Sequence, residues 1–359
     1  MIRIGSLFCD CDQPTVRGGD APPVEWALDG GTGDRERLSA NERLAVIDQL
    51  ESFGVETVRF EEAGGLDPEV VDELIAHAAD QGIETTLRLD RRQLDDQRLE
   101  ALESAGLDRL SVLVPGLSTP REKHTANDAI DAALATLEAG VESDLETELR
   151  FPLRAESVRD MEEVYDLAAL LSVDRFRLTH VPSELSDDRR RRAIRRLIDV
   201  TRDAHERDTH LETVLSGGID AGYVTEYARG QLEGSESTTV REALRERLGT
   251  APSPPVAKLG PDGAVFPGPF WDRYSLGSVR DRPFGSIWTD ETNPLLRRLR
   301  HDEAGLPERC RGCAFSDVCD GGSRGRALQA HDDPFEPDPV CYVEPEIRVE
   351  GAAAGSPAD

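Results

Sequence analysis

Cys310, Cys313, Cys319 and Cys341 are spaced C-x2-C-x5-C-x21-C within and after the stretch CRGCAFSDVCDGGSRGRA. Three thiols within ten residues and a fourth returning later can wrap one metal centre. The C-x2-C knuckle places two thiolates on it and the later cysteines close the shell. Gly312, Gly321 and Gly322 let backbone amides turn toward sulfur. Four thiolates suit a tetrahedral zinc or a cuboidal [4Fe–4S] cluster, and spacing alone leaves both open.

Fewer residues outside this cluster invite chemistry. His180 closes an expected strand, RFRLTH, and with Glu148 and Arg150 on the preceding strand it is a candidate for the mouth of a barrel. Arg59, Arg88, Arg150 and Arg177 alternate with apolar residues on successive strands. They are expected to fill layers or face solvent, with an anion-binding mouth as the sharper alternative. His77 and His205 lie on amphipathic helices and read as surface residues. No Gly-x-Ser-x-Gly, His-Glu-x-x-His or phosphate-cradling loop occurs in the sequence.

The elements that must position these residues alternate β-rich and helical stretches as far as residue 215. Candidate strands are 2–9, 56–60, 83–89, 108–114, 145–151, 175–180 and 210–216. Amphipathic stretches between them end at Gly54, Gly82 and Gly106, where helix C-termini favour glycine. Six or seven βα units without a dinucleotide-binding turn predict an α/β fold, a partial (β/α)6-type barrel. Residues 10–38, rich in Gly, Pro and Asp, read as a long loop at the catalytic face, and RRRRAIRR at 189–196 as a solvated helix face. Beyond residue 250 the chain turns Pro-, Gly- and aromatic-rich. The expected division is a barrel over 1–235, a small loop-rich domain over 250–345 and a disordered tail over 346–359.

The chain has 359 residues and a formal net charge of -29. That charge excludes general binding to nucleic acid or anionic membranes, since little here would neutralise phosphates. Only Lys123 and Lys258 are lysines, and the other 40 basic residues are arginine. A GC-rich genome explains the lysine deficit but not the acid excess. Both together fit a halophilic protein whose carboxylates hold water in strong salt. The absence of an apolar run of about 18 residues predicts no membrane span. With no secretory pattern and six cysteines too few for a disulfide scaffold, a cytoplasmic location is expected.

CRGCAFSDVCDGGSR, preceded by LGPDGAVFPG and LGSVRDRPFGSIW, resembles a SPASM domain, the auxiliary iron–sulfur module of many radical S-adenosylmethionine enzymes. That family normally carries seven cysteines on two clusters. Two of those positions, both of the first auxiliary cluster, are Gly268 and Ser323 here. The resemblance therefore implies one [4Fe–4S] cluster on Cys310, Cys313, Cys319 and Cys341, with zinc as the alternative. The N-terminal half, through LSANERLAVIDQLESFGVETVRF, is similar to the radical S-adenosylmethionine partial barrel. The family's C-x3-C-x2-C is absent. Cys9 and Cys11 remain, with Gln13 and Val16 where the other thiols would fall, and Glu61-Glu62-Ala63-Gly64-Gly65 replaces the usual Gly-Gly-Glu-Pro.

The resemblance thus implies a pseudoenzyme that binds no S-adenosylmethionine, with Cys9 and Cys11 read as vestigial or packing residues and a two-thiol contact to a metal, substrate or partner as the alternative. It would be an accessory, electron-transfer or substrate-holding partner of a complete radical S-adenosylmethionine enzyme, in peptide modification or haem-type cofactor biosynthesis. Its expected ligand is a peptide or small molecule, with neither nucleic acid nor membrane as partner. The alternatives are a redox enzyme in its own right and an interaction module holding structural zinc.

Overall fold

The computed structural model describes residues 2–3, 21–30, 36–62, 64–90, 94–117, 125–181, 185–207, 209–215, 218–232, 234–248, 256–300 and 306–343. The expected tail, Cys9, Cys11, Gln13 and Val16 lie outside these residues.

Seven parallel strands form the barrel sheet: β2 (Val24–Ala27), β3 (Thr57–Glu62), β4 (Glu84–Asp90), β5 (Arg109–Leu113), β6 (Glu146–Leu153), β7 (Arg175–His180) and β8 (Glu212–Leu215). A short β1 (Ile2–Arg3) runs antiparallel to β8. The helices between the parallel strands are α1 (Ala40–Phe53), α2 (Pro68–Asp80), α3 (Asp96–Ser104), α4 (Thr125–Glu142), α5 (Met161–Leu170) and α6 (Asp187–Glu206). Six helices joining seven parallel strands is the expected six-unit α/β partial barrel. Two more helices, α7 (Ile219–Gln231) and α8 (Gly234–Leu248), lead out of it.

Local chemistry sets the helix boundaries. Ser39 and Glu42 form a capping box at the start of α1, Asp67 caps α2 ahead of Pro68, and Asp95 caps α3. The left-handed Gly54 ends α1 and donates its N–H to the last turn.

β2 corrects the expectation that residues 10–38 are loop throughout. Val24-Glu25-Trp26-Ala27 is only four residues long, set between Pro22-Pro23 and Asp29-Gly30, so turn-forming neighbours hide its alternation. Of the expected strand at 2–9, the described part is Ile2–Arg3.

The two sheet faces differ sharply. Trp26, Phe60, Leu87, Leu110, Leu149, Phe151, Phe176 and Leu178 point toward the helices and are fully or almost fully buried. At ~25 cal/mol per Å² of apolar surface removed from water, burial of this layer contributes to the driving force for folding. The opposite face carries Glu25, Arg59, Arg88, Glu148 and Arg177. On a flat sheet β2 and β7 would lie roughly 24 Å apart. The Arg177 charge nevertheless acts on both Glu25 and Arg59. Screening would erase that effect on a flat sheet, so the sheet curls with its charged face inward.

The C-terminal module continues the same sheet. β9 (Ala257–Leu259) pairs parallel to β2, and β10 (Ala264–Phe266) and β11 (Gly277–Ser278) follow antiparallel. The eleven described strands run in the order β1-β8-β7-β6-β5-β4-β3-β2-β9-β10-β11. Four short helices complete the module: α9 (Phe284–Trp288), α10 (Pro294–Arg300), α11 (Ser316–Cys319) and α12 (Arg324–His331). Phe284 stacks on Trp288 and packs edge-on to Phe53 of α1, with ring centroids 6.1 and 5.8 Å apart. Arg280 donates to both Glu42 carboxylate oxygens and to the Glu36 and Arg37 carbonyls. Among the described residues no helix is long and apolar enough to cross a membrane.

The Arg280 and Ser39 hydrogen bonds lower the Glu42 pKa from 4.5 to about 2. A carboxylate with a depressed folded-state pKa contributes stability above its unfolded pKa, and that contribution disappears as pH falls through the folded value. Glu42→Gln is therefore expected to melt below wild type at pH 7. The gap should close between about pH 4.5 and pH 2 in thermal scans. A gap that is absent at pH 7, or unchanged at pH 2, would refute this account.

Candidate metal centre

The four late cysteines come from three pieces of backbone. A single 3-10 turn, Glu308–Cys310, carries the first, and the Cys310 N–H donates to the Pro307 carbonyl at 2.7 Å. The Cys313 N–H donates to the Cys310 carbonyl at 3.0 Å, so the C-x2-C knuckle is a hydrogen-bonded turn. Cys319 ends α11, and Cys341 returns on the segment after α12.

One buried carboxylate ties these pieces together. Asp338 accepts from the Ser323 N–H at 2.6 Å, from Arg326 Nη2 at 2.7 Å and Nε at 3.1 Å, and from the Val340 N–H at 3.1 Å. Its own carbonyl accepts the Cys341 N–H at 3.1 Å. A Cβ on Gly322 would sit 2.6 Å from Asp338 Oδ2, and Gly322 has φ +82, so only glycine fits there. The cysteine loop also lies close to α7. A Cβ built on Gly222 would already stand 3.4 Å from Phe315 Cβ and 3.8 Å from Cys319 Cβ. Arg241 and Arg245 of α8 clamp Asp317 on α11 from the other side.

All four thiols are half-buried and form no disulfide. Burial pushes Cys310 up to about 11, with the Cys341 and Cys313 thiols adding to the rise. Cys319 and Cys341 are raised for the same leading reason. Four sulfurs close enough to disfavour one another's negative charge in a partly desolvated pocket suit a cationic group placed among them. Among the described residues, no three His, Cys, Asp or Glu side chains are arranged to hold a single metal ion. A single tetrahedral ion needs its thiolates gathered about 2.3 Å from one point. A cuboidal cluster, with iron at separate corners, accepts sulfurs set wider apart.

Gly268 and Ser323 have structural duties. The Ser323 hydroxyl caps α12 by accepting the Arg326 N–H at 3.3 Å. A Cβ at Gly268 would meet the Val256 carbonyl at 3.1 Å and Trp271 at 3.6 Å. Gly325 packs so tightly that a Cβ would fall 2.3 Å from the Pro269 carbonyl and 3.1 Å from Trp271.

His180 does not face the barrel mouth. It shares its side of β7 with Phe176 and Leu178 and is buried beneath the helices. Its Nε2 donates to Asp220 at 2.5 Å, and its Nδ1 accepts from Arg190 Nη1 at 3.1 Å. Arginine can only donate, which assigns the acceptor role to Nδ1. The Tyr342 hydroxyl donates to the same Asp220 oxygen at 2.7 Å, and its ring lies 5.3 Å from Tyr223. This network leads from the end of β7 to the residue beside Cys341. Sequence reasoning missed Arg190, Asp220, Tyr342 and Asp338, of which only Tyr342 carried a local signal, its position after a cysteine. The arginine run also departs from expectation. Arg190 is 1% exposed and Arg191 donates to the Tyr342 carbonyl, so α6 turns part of its basic face inward.

Glu148 and Arg150 do face the interior of the barrel. Glu148 accepts from Arg177 at 2.6 and 2.8 Å and from Ser111 at 2.7 Å. Burial, the largest single influence, would raise its pKa, but the Arg177 and Arg88 charges together with the Arg177 and Ser111 hydrogen bonds outweigh it and hold the carboxyl well below the usual range. The arginines of these strands are thus buried on the inner face rather than facing solvent. At the end of β2, Asp29 accepts from the Gly65 N–H and so fixes the turn after β3.

Asp338→Ala leaves Arg326 buried without its carboxylate and two loop N–H groups unpaired. Loss of one partner of a buried pair costs ~3–5 kcal/mol, to be read from denaturant unfolding. A loss under about 1 kcal/mol would show that the loop is held by other contacts.

Residues 256–314 match the SPASM family, described as an iron–sulfur cluster-binding domain. The chain is 29% identical over 325 residues to the Fe-coproporphyrin III synthase of Methanosarcina barkeri, covering 86% of this chain and 81% of that one. It is 28% identical over 265 residues to the pre-heme d1 synthase of Dinoroseobacter shibae, covering 68% of this chain and 64% of that one. In fold it resembles Streptococcus suis SuiB bound to the precursor peptide SuiA, with TM-score 0.65 and 16% identity over 90% of this chain and 76% of that one. SuiB has also been solved bound to S-adenosylmethionine. The chain therefore carries a SPASM domain on an α/β fold like that of radical S-adenosylmethionine enzymes, and its relatives include tetrapyrrole synthases.

Proposed function

We propose that this chain is a radical S-adenosylmethionine/SPASM homologue that no longer cleaves the methionine cofactor. It keeps one [4Fe–4S] cluster on Cys310, Cys313, Cys319 and Cys341. It works in the cytoplasm as the substrate-holding or electron-transfer partner of a complete radical S-adenosylmethionine enzyme, in peptide modification or haem-type cofactor biosynthesis. The relatives' printed activities and the peptide-bound SuiB structure support that setting.

The observation that carries the reading is the contrast between two sets of positions. Four partly buried thiols lie close enough to act on one another's charge, whereas Gly268 and Ser323 are committed to close packing and a helix cap. A bound cluster would supply one-electron capacity. The chain's own residues supply the rest: Asp338 and Gly322 pin the loops, α7 and α8 seat them, and the Tyr342–Asp220–His180 hydrogen bonds tie the centre to the barrel.

The reading has a direct test. Protein purified without oxygen should contain about four irons and four sulfides per chain, with broad absorption near 400 nm. Cys313→Ser should remove the iron and Cys9→Ser should not. Reduced protein given S-adenosylmethionine should release no 5′-deoxyadenosine. One zinc per chain, or 5′-deoxyadenosine formed by this polypeptide alone, would overturn the reading.

A further inference from the structure

The inner face of the barrel holds more buried positive than buried negative charge. Four guanidiniums converge there: Arg59, Arg88, Arg150 and Arg177, with side chains only 9, 12, 12 and 9% exposed. The carboxylates buried with them are Glu25 and Glu148, 12 and 2% exposed. Glu61 and Asp90 pair with Arg88 and Arg150 at the rim, 41 and 59% exposed, where water screens their charge. Arg109, on the same face and 10% exposed, is likewise held by the more exposed Glu84 and Glu146, so the buried guanidiniums outnumber the buried carboxylates.

The pairing is uneven in the same sense. Arg177 is matched by Glu148, and Arg88 by Glu25 at 2.9 Å. Arg59 makes no hydrogen bond among the described residues, and its one ion contact is with Glu25 at 3.9 Å. The buried Nε atoms of Arg88 and Arg150 have no hydrogen-bond partner. Burial, reinforced by the Arg88 charge, lowers the Arg59 pKa to about 10 and depresses Arg150 as well. A desolvated guanidinium without a full set of acceptors is expensive to keep, and it is well placed to receive an anion.

The excess is also divided in space. Arg59 stands on β3 and Arg150 on β6, three strands apart, with Arg88 of β4 between them. On a flat sheet three strand steps span roughly 14 Å, and the four-residue register offset between the two positions adds about 13 Å along the strands, a distance that the curl of the sheet shortens. A compact anion such as phosphate reaches one of these arginines but not both.

We propose that the concave face of the barrel binds an organic ligand through two separated carboxylates, one on Arg59 and one on Arg150. This names the class of molecule for the substrate-holding role proposed above, and it is independent of what the cysteines hold.

Rigid probes give the cleanest test, since they lose little freedom on binding. Calorimetry on the full chain should show saturable binding of biphenyl-4,4′-dicarboxylate or of the shorter terephthalate. The better of the two should bind at least tenfold tighter than the monoacid 4-phenylbenzoate or inorganic phosphate. Arg59→Gln and Arg150→Gln should each weaken that binding at least tenfold. Arg273→Gln, at the exposed Asp332 pair, should not. Without ligand, Arg59→Gln should melt at or above the wild-type temperature, because it removes a buried charge that has no hydrogen-bond acceptor among the described residues. Iron content should be unchanged. No saturable binding of either diacid, phosphate binding as tightly, or an Arg59→Gln variant that melts lower and binds as well as wild type would overturn the proposal. Failure of the iron and sulfide analysis with these results intact would touch only the cluster.

Discussion

The cysteine loops of the C-terminal module depend on one buried carboxylate. Asp338 takes hydrogen bonds from Arg326 and from two loop N–H groups, and its carbonyl receives Cys341. Because it reaches the segment after Cys319 and the segment before Cys341 at once, it sets the distance between two parts of the thiol set. Burial and the neighbouring thiols both favour the neutral forms of the sulfurs, so the negative charge of a thiolate set is costly to gather there without a cationic partner. The polypeptide must therefore preorganise the pocket, and the Asp338–Arg326 pair is where it does so. α7 and α8 then hold the preorganised loop against the barrel.

The barrel solves a different problem with the same sheet. Its helix-facing side is almost wholly apolar and accounts for cohesion. Its inner side is an electrostatic lattice in which arginines and carboxylates on neighbouring strands are set opposite one another. Cross-strand pairs of opposite charge stabilise such a face modestly where they are matched. Where they are unmatched, as around Arg59, the cost falls on the free protein. Stability and a ligand-ready interior therefore pull against each other at that one layer.

Much of this was legible in the amino-acid order. β3 to β8 follow the apolar alternation, α1 to α3 begin at capping residues or end near their glycines, and the cysteine spacing marked the C-terminal centre. β2 escaped because four residues between a proline pair and an Asp-Gly turn carry too little periodicity. His180 was correctly placed at a strand end, but its side depended on the parity of β7, which reverses with a one-residue shift. Arg190 was hidden in a run of arginines that reads as solvent-facing. Asp220 and Asp338 gave no sign at all, because their meaning lies in partners up to 122 residues away.

β2 has one further consequence. It is the strand onto which the C-terminal module adds β9, so the module is part of the barrel's own sheet rather than a tethered appendage. A chain shortened before residue 256 would leave a bare ladder of unpaired amides and carbonyls along β2, an adhesive margin prone to self-association. The module therefore seals the edge of the barrel's own sheet.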